Sequence, residues 1–133
     1  MRILFALAFC ILGIGSVTAQ TAAEYVLKGK SKYAKSDYSG AKLDYNKAIE
    51  LDPKFAEAYF ERGNLKAELM DYSNAVQDYD KAISLEPGNG IYILNRSYSY
   101  YALKETDKAR LDAEKAESLG AAVPPAYLQL LRQ

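Results

Sequence analysis

Between residues 38 and 52 the positions Ala41, Tyr45, Ala48 and Ile49 fall at i, i+4, i+7 and i+8, which is one stripe of an amphipathic helix. The same stripe returns as Ala75, Tyr79, Ala82 and Ile83, 34 positions later. Setting 22–55 over 56–89 without gaps gives 15 identities in 34; setting 90–123 over 56–89 keeps 8. The pattern predicts A helices over roughly 22–35, 56–69 and 90–103, each followed by a B helix over roughly 38–52, 72–86 and 106–119. Asp37 and Asp71 stand where an acidic side chain caps the free N–H groups of helix B. Pro53 and Pro87 stand where helix B must stop, because proline lacks the next helical N–H. Gly29 and Gly63 on the A helices, with Ala41 and Ala75 on the B helices, are expected to let the two helices approach closely. Tyr45 and Tyr79 are expected to fill the gap toward the next unit.

The third frame is worn: Ser97 replaces the glycine, and "AEKAESLGA" has Ala113 and Ala121 where the earlier units have tyrosine and proline. The "GNG" at Gly88–Gly90 reads as a turn between units. After the third unit, "PPAYLQLLRQ" reads as a short helix over 124–133, with Tyr127, Leu128, Leu130 and Leu131 covering the apolar edge of the last repeat. The alternative is a frayed tail.

The first 19 residues differ from the rest. One basic residue, Arg2, precedes an apolar run to about Ile14, and Val17 and Ala19 occupy the positions read by a signal peptidase, so 1–19 is expected to be a signal peptide. A retained anchor is the alternative; a lipoprotein site at Cys10 is disfavoured by the bulky Phe9 before it. Cleavage after Ala19 leaves 20–133 as one domain, with 16 basic and 17 acidic groups and no cysteine. Such a domain cannot be stapled by disulfides and carries no field that attracts nucleic acid.

The spacing, with Tyr59, Arg62, Gly63, Ala75, Tyr79 and Pro87 in the second unit and Tyr25, Lys28, Gly29, Ala41, Tyr45 and Pro53 in the first, resembles the tetratricopeptide repeat (TPR), a helix–turn–helix unit of 34 residues. The resemblance implies an all-α solenoid of three such units (22–55, 56–89, 90–123) with a capping helix over 124–133. It also implies a concave groove lined mainly by the A helices. Carried over position by position, the groove would offer aromatic surface at Tyr33, Phe60, Tyr98 and Tyr101, and polar handles at Lys30, Asn64 and Asn95. Chaperone-binding members of the family grip a terminal carboxylate with two asparagines and three cations. Asn64 and Asn95 match the asparagines, but Phe60, Pro125 and Gln129 stand where the cations should be.

Catalysis has little to work with, since histidine is absent and no thiol survives cleavage. The carboxylates are read as a solvated surface, and the "NRS" sequon at Asn95–Ser97 as chance within a helix. The expected function is a non-enzymatic adaptor without cofactor or metal, exported to the periplasm or the exterior, holding a peptide or protein segment. It is expected to bind no nucleic acid and to keep no membrane span after cleavage. The alternative is a self-associating unit, a homo-oligomer packed through its third repeat and C-terminal helix.

Overall fold

The computed structural model describes residues 20–133; the expected signal peptide lies outside the described residues. Among these there are seven helices: α1 (Ala22–Ala34), α2 (Tyr38–Leu51), α3 (Ala56–Glu68), α4 (Tyr72–Leu85), α5 (Gly90–Ala102), α6 (Thr106–Ser118) and α7 (Pro125–Leu130). They form three A–B hairpins in the predicted register, α1–α2, α3–α4 and α5–α6, each stacked on the next. Among the described residues no helix is long and apolar enough to cross a membrane.

The turn inside each hairpin has a geometry that the sequence did not announce. Ser36, Met70 and Lys104 all adopt left-handed backbone, with φ of 61°, 61° and 65°. In the first unit the N–H of Ser36 donates to Tyr33 O at 2.9 Å and that of Asp37 to Lys32 O at 2.9 Å. The same pair of bonds recurs at Met70–Asp71 and at Lys104–Glu105. This closes the last turn of helix A, although glycine, the usual residue for such a conformation, is absent from all three turns. The residue that ends this motif also begins helix B. Asp37 caps α2 as expected, accepting from Gly40 N at 2.9 Å. Asp71 does not cap α4 through its side chain. Asn74 stands there where the first unit has Gly40, and its amide engages both carboxylate oxygens at 3.0 and 2.8 Å.

The glycines let helix A approach helix B closely, as expected, and the group they admit is a tyrosine ring. A methyl group at Gly29 would lie 2.5 Å from the Tyr45 ring, and one at Gly63 would lie 2.8 Å from the Tyr79 ring. Each glycine therefore makes room for the tyrosine of its own unit. Tyr45 and Tyr79 are each only 1% exposed, wedged between their own A and B helices. Tyr45 also shares a core cluster with Ala58 and Leu65 of the second unit, toward which it was expected to reach, and Phe60 of the second unit stacks on Tyr92 of the third, centroids 4.5 Å apart.

The third unit has lost both partners of this pair, and α7 compensates. The Ser97 hydroxyl donates to Ala109 O at 2.6 Å and lies 2.9 Å from the Tyr127 hydroxyl. The Tyr127 ring stacks on Tyr98 at 4.6 Å. Ser97 and Tyr98 are the equivalents of Gly63 and Asn64, which Tyr79 touches in the second unit. Leu128 and Leu131 are buried against Ile93, Leu94, Ala109, Ala113 and Ala116. Leu130 points outward, 41% exposed, contrary to expectation. The apolar edge of the third unit is thus covered by the chain's own α7.

Three carboxylates expected in solvated surface are buried: Asp44, Asp78 and Asp112, one per B helix at 34-residue spacing. Lys32 lies 2.7 Å from Asp44. Arg62 grips Asp78 with two bonds of 2.9 and 2.6 Å, with Lys66 2.7 Å away. Arg96 grips Asp112 at 2.7 and 2.8 Å. Such forked pairs satisfy a buried carboxylate that would otherwise be costly. Each arginine also reaches the preceding unit: Arg62 donates to Asn46 at 2.9 Å, and Arg96 to Asp80 at 2.8 Å. One side chain therefore closes a hairpin and joins it to its neighbour.

Candidate functional site: the face of the A helices

The A helices touch in sequence, α1 with α3 and α3 with α5, while the B helices α2, α4 and α6 do not touch one another. The stack therefore curves with the A helices inside. On this inner face Tyr33, Glu61, Asn64, Ala67, Glu68, Tyr79 and Asn95 surround an open depression of about 370 Å³. Three successive units contribute to it through α1, α3 with α4, and α5.

Of the residues singled out from sequence, the depression brings together Tyr33, Asn64 and Asn95. Asn64 accepts from the Tyr79 hydroxyl at 2.8 Å, so its carbonyl is engaged and its amide points toward Glu61 at 3.4 Å. Asn95 donates to Ile91 O of its own helix at 2.9 Å. Tyr33 is half-buried beside Tyr38, centroids 5.5 Å apart. Four residues lie elsewhere. The Lys30 ammonium is held 3.2 Å from both Glu57 and Glu61. Phe60 is taken up in packing against Tyr92 and Tyr79. Tyr98 and Tyr101 face Tyr127 of α7, though Tyr98 keeps 39% of its surface exposed.

Register along the A helices also places Glu61 and Glu68 on the groove, where the depression has them; the Tyr79 hydroxyl, from a B helix, was missed. The two glutamates share the helical register of Phe60 and Asn64 but were not among the residues singled out as polar handles. Their influence reaches the neighbouring phenols. Burial, then the Glu68 charge, holds the Tyr33 phenol above its usual range. Burial, then the Glu61 charge, does the same to Tyr45 and Tyr79. Lys30 is raised by its bonds to Glu61 and Glu57, so its cation is secured. Among the described residues no group of His, Cys, Asp and Glu is placed to hold a metal ion. The depression offers phenols, amides and carboxylates on a rigid surface, a set suited to reversible binding through hydrogen bonds and stacking.

Profiles of known families match two stretches: a "TPR repeat" profile spans residues 29–70, and a "tetratricopeptide repeat" profile spans 56–89. The chain belongs to the tetratricopeptide repeat family. Neither profile reaches the third unit, where the glycine and the tyrosine have both been replaced. Solved structures superpose over most of their length. The first TPR of Spaghetti (RPAP3), bound to HSP90 peptide SRMEEVD, is 22% identical, with a TM-score of 0.81, 86% of this chain and 92% of that one covered. The TPR2B domain of yeast Sti1, in a complex with pHsp70, is 28% identical, with a TM-score of 0.74 and coverage of 83% and 91%. The Arabidopsis OM64 TPR domain is 24% identical, with a TM-score of 0.79 and coverage of 84% and 94%. No curated protein matches the chain.

Proposed function

We propose that the protein is a non-enzymatic adaptor that holds a peptide or protein segment on the inner face of its A helices. The observation that carries this reading is the depression built by three successive units, whose half-buried phenol and amide side chains lie on a rigid helical surface. The yeast Sti1 domain, which shares the fold at 28% identity, was solved in complex with pHsp70, and this supports a protein-binding role. A screen of displayed peptides against the purified protein tests it. Peptides so selected should lose most of their affinity for Tyr33→Ala combined with Asn95→Ala, while Leu43→Ala on the outer side of α2, 68% exposed, leaves binding intact. Helical circular dichroism should be unchanged in both variants. Loss of binding with Leu43→Ala alone would move the site to the outer face.

The adaptor acts, in this proposal, in the cell envelope or outside the cell, reached through residues 1–19. The support is the basic start, apolar run and small residues at Val17 and Ala19. The fold begins just beyond, where Thr21 and Glu24 form a reciprocal N-terminal cap on α1. The intact mass of the protein recovered from a bacterium that expresses the full chain should correspond to a start at Gln20. A mass retaining Met1–Ala19 would refute the processing.

A further inference from the structure

The groove's own charges narrow the partner, given that the inner face is the binding surface. Glu57, Glu61 and Glu68 lie on one stripe of α3, at spacings of four and seven residues. They span about 16 Å along the helix, the reach of about five extended residues. Against them stands Lys30, 3.2 Å from both Glu57 and Glu61. The other cations of α3 are turned away: Arg62 and Lys66 are spent on the buried Asp78 at 2.6 and 2.7 Å. Glu68 makes no ion pair among the described residues, and it lines the depression together with Glu61. On α5, the turn facing this stripe presents Ile91, Asn95 and Tyr98, none of them charged. The inner face therefore carries three carboxylates against one ammonium. That the phenols of Tyr33, Tyr45 and Tyr79 are all raised partly by these glutamates agrees with a negative field at the floor.

A terminal carboxylate finds no unpaired cation to meet it here, since Lys30 is held by Glu57 and Glu61. Phe60 is stacked on Tyr92, Pro125 opens α7, and Gln129 is neutral and exposed. We infer that the segment held by this protein is basic, with lysine or arginine side chains meeting Glu61 and Glu68 while its remaining side chains lie against Tyr33 and Tyr98. Lysine and arginine suit both features, since they pair with carboxylates and also sit favourably over phenol rings. An acidic segment is repelled by the same glutamates.

Fluorescence anisotropy with three short labelled peptides tests this. The first alternates lysine and serine around a central tyrosine; the other two have glutamine or glutamate in place of every lysine. The lysine peptide should bind at least about tenfold more tightly than the glutamine peptide at low salt, and added salt should weaken it. Glu61→Gln with Glu68→Gln should remove most of that advantage without altering the melting temperature by more than a few degrees. Glu68→Lys alone, at an exposed position, should improve binding of the glutamate peptide. If the glutamine or glutamate peptide binds as well as the lysine peptide, and Tyr33→Ala still weakens it, the charge inference falls while the inner face stands as the site. If the lysine peptide binds but neither the glutamate substitutions nor Tyr33→Ala affects it, both fall. Absence of any binding by the lysine peptide at low salt also overturns the inference.

Discussion

Tyr79→Ala lowers the unfolding free energy by about 3–5 kcal/mol, as removal of a buried aromatic ring does. The ring is 1% exposed and lies against Gly63, so the hole it leaves faces a residue with no side chain to swing into it. Phe60, centroid 5.9 Å away, is itself held by Tyr92 and cannot collapse inward without breaking the contact between the second and third units. The cavity contribution should therefore be felt almost in full. Tyr79→Phe separates ring from hydroxyl: it keeps the packing and loses only the 2.8 Å bond to Asn64, for a cost of about 1 kcal/mol. Urea unfolding followed by circular dichroism measures both. A domain of this size has only about 5–15 kcal/mol in total, so the alanine variant should melt at a visibly lower urea concentration. A loss below about 0.5 kcal/mol would refute the wedge assigned to Tyr79.

Raising the pH should unfold the protein cooperatively above pH 10. Burial, then the Glu61 charge, raises the phenols of Tyr45 and Tyr79, and burial followed by the Glu86 charge pushes Tyr92 up to about 12. Below pH 10.0, the ordinary tyrosine value, these phenols are neutral in both folded and unfolded chains, and the stability they carry is complete. Above it the unfolded chain releases the protons and the folded chain does not, so stability drains away as pH climbs toward the raised values. Each such group contributes at most about 1.4 kcal/mol per pH unit, and three acting together remove about 4 kcal/mol per unit. Lys30 and Lys32, raised by their bonds to Glu61 and Asp44, lose their pairing in the same direction. With no histidine in the chain, stability should be nearly flat through neutral pH. Tyrosinate absorbance and far-ultraviolet circular dichroism, recorded on one pH titration, should change together. Full tyrosinate formation near pH 10 with the helical signal intact would contradict the burial of these rings.

The stack of hairpins was legible because its cause is periodic. A stripe of alanines and one tyrosine on the first two B helices, with proline after it, repeats at 34 residues, its alanines persist in the third, and the observed helices follow it closely. The turns were less legible. Their left-handed residue is serine, methionine or lysine, so the chemistry that normally marks such a turn is missing and only the backbone bonds reveal it. The buried aspartates were misread because a carboxylate on a helix is usually solvated, and only the pairing with a basic residue of helix A, Lys32, Arg62 or Arg96, shows otherwise. Their recurrence as Asp44, Asp78 and Asp112 was the available signal. On the inner face, register placed the side chains correctly on the A helices, but not their engagements. That Phe60 belongs to packing and Lys30 to two glutamates depends on which neighbour lies across the face, and no spacing within one helix encodes that.

The exchange of glycine and tyrosine for Ser97 and Ala113 has a consequence for how the array could grow. Restoring tyrosine at 113 alone would drive a ring toward Ser97, where the earlier units have no side chain at all. Restoring glycine at 97 alone would strip the hydroxyl bonds to Ala109 and Tyr127 and leave nothing to fill the gap. Even with both restored, Tyr127 already stands beside Tyr98, and α7 covers the surface on which a further hairpin would dock. Lengthening the solenoid at this end therefore requires three coordinated changes, each harmful when made singly. The third unit behaves as a latch, its edge sterically incompatible with an additional hairpin while α7 lies on it.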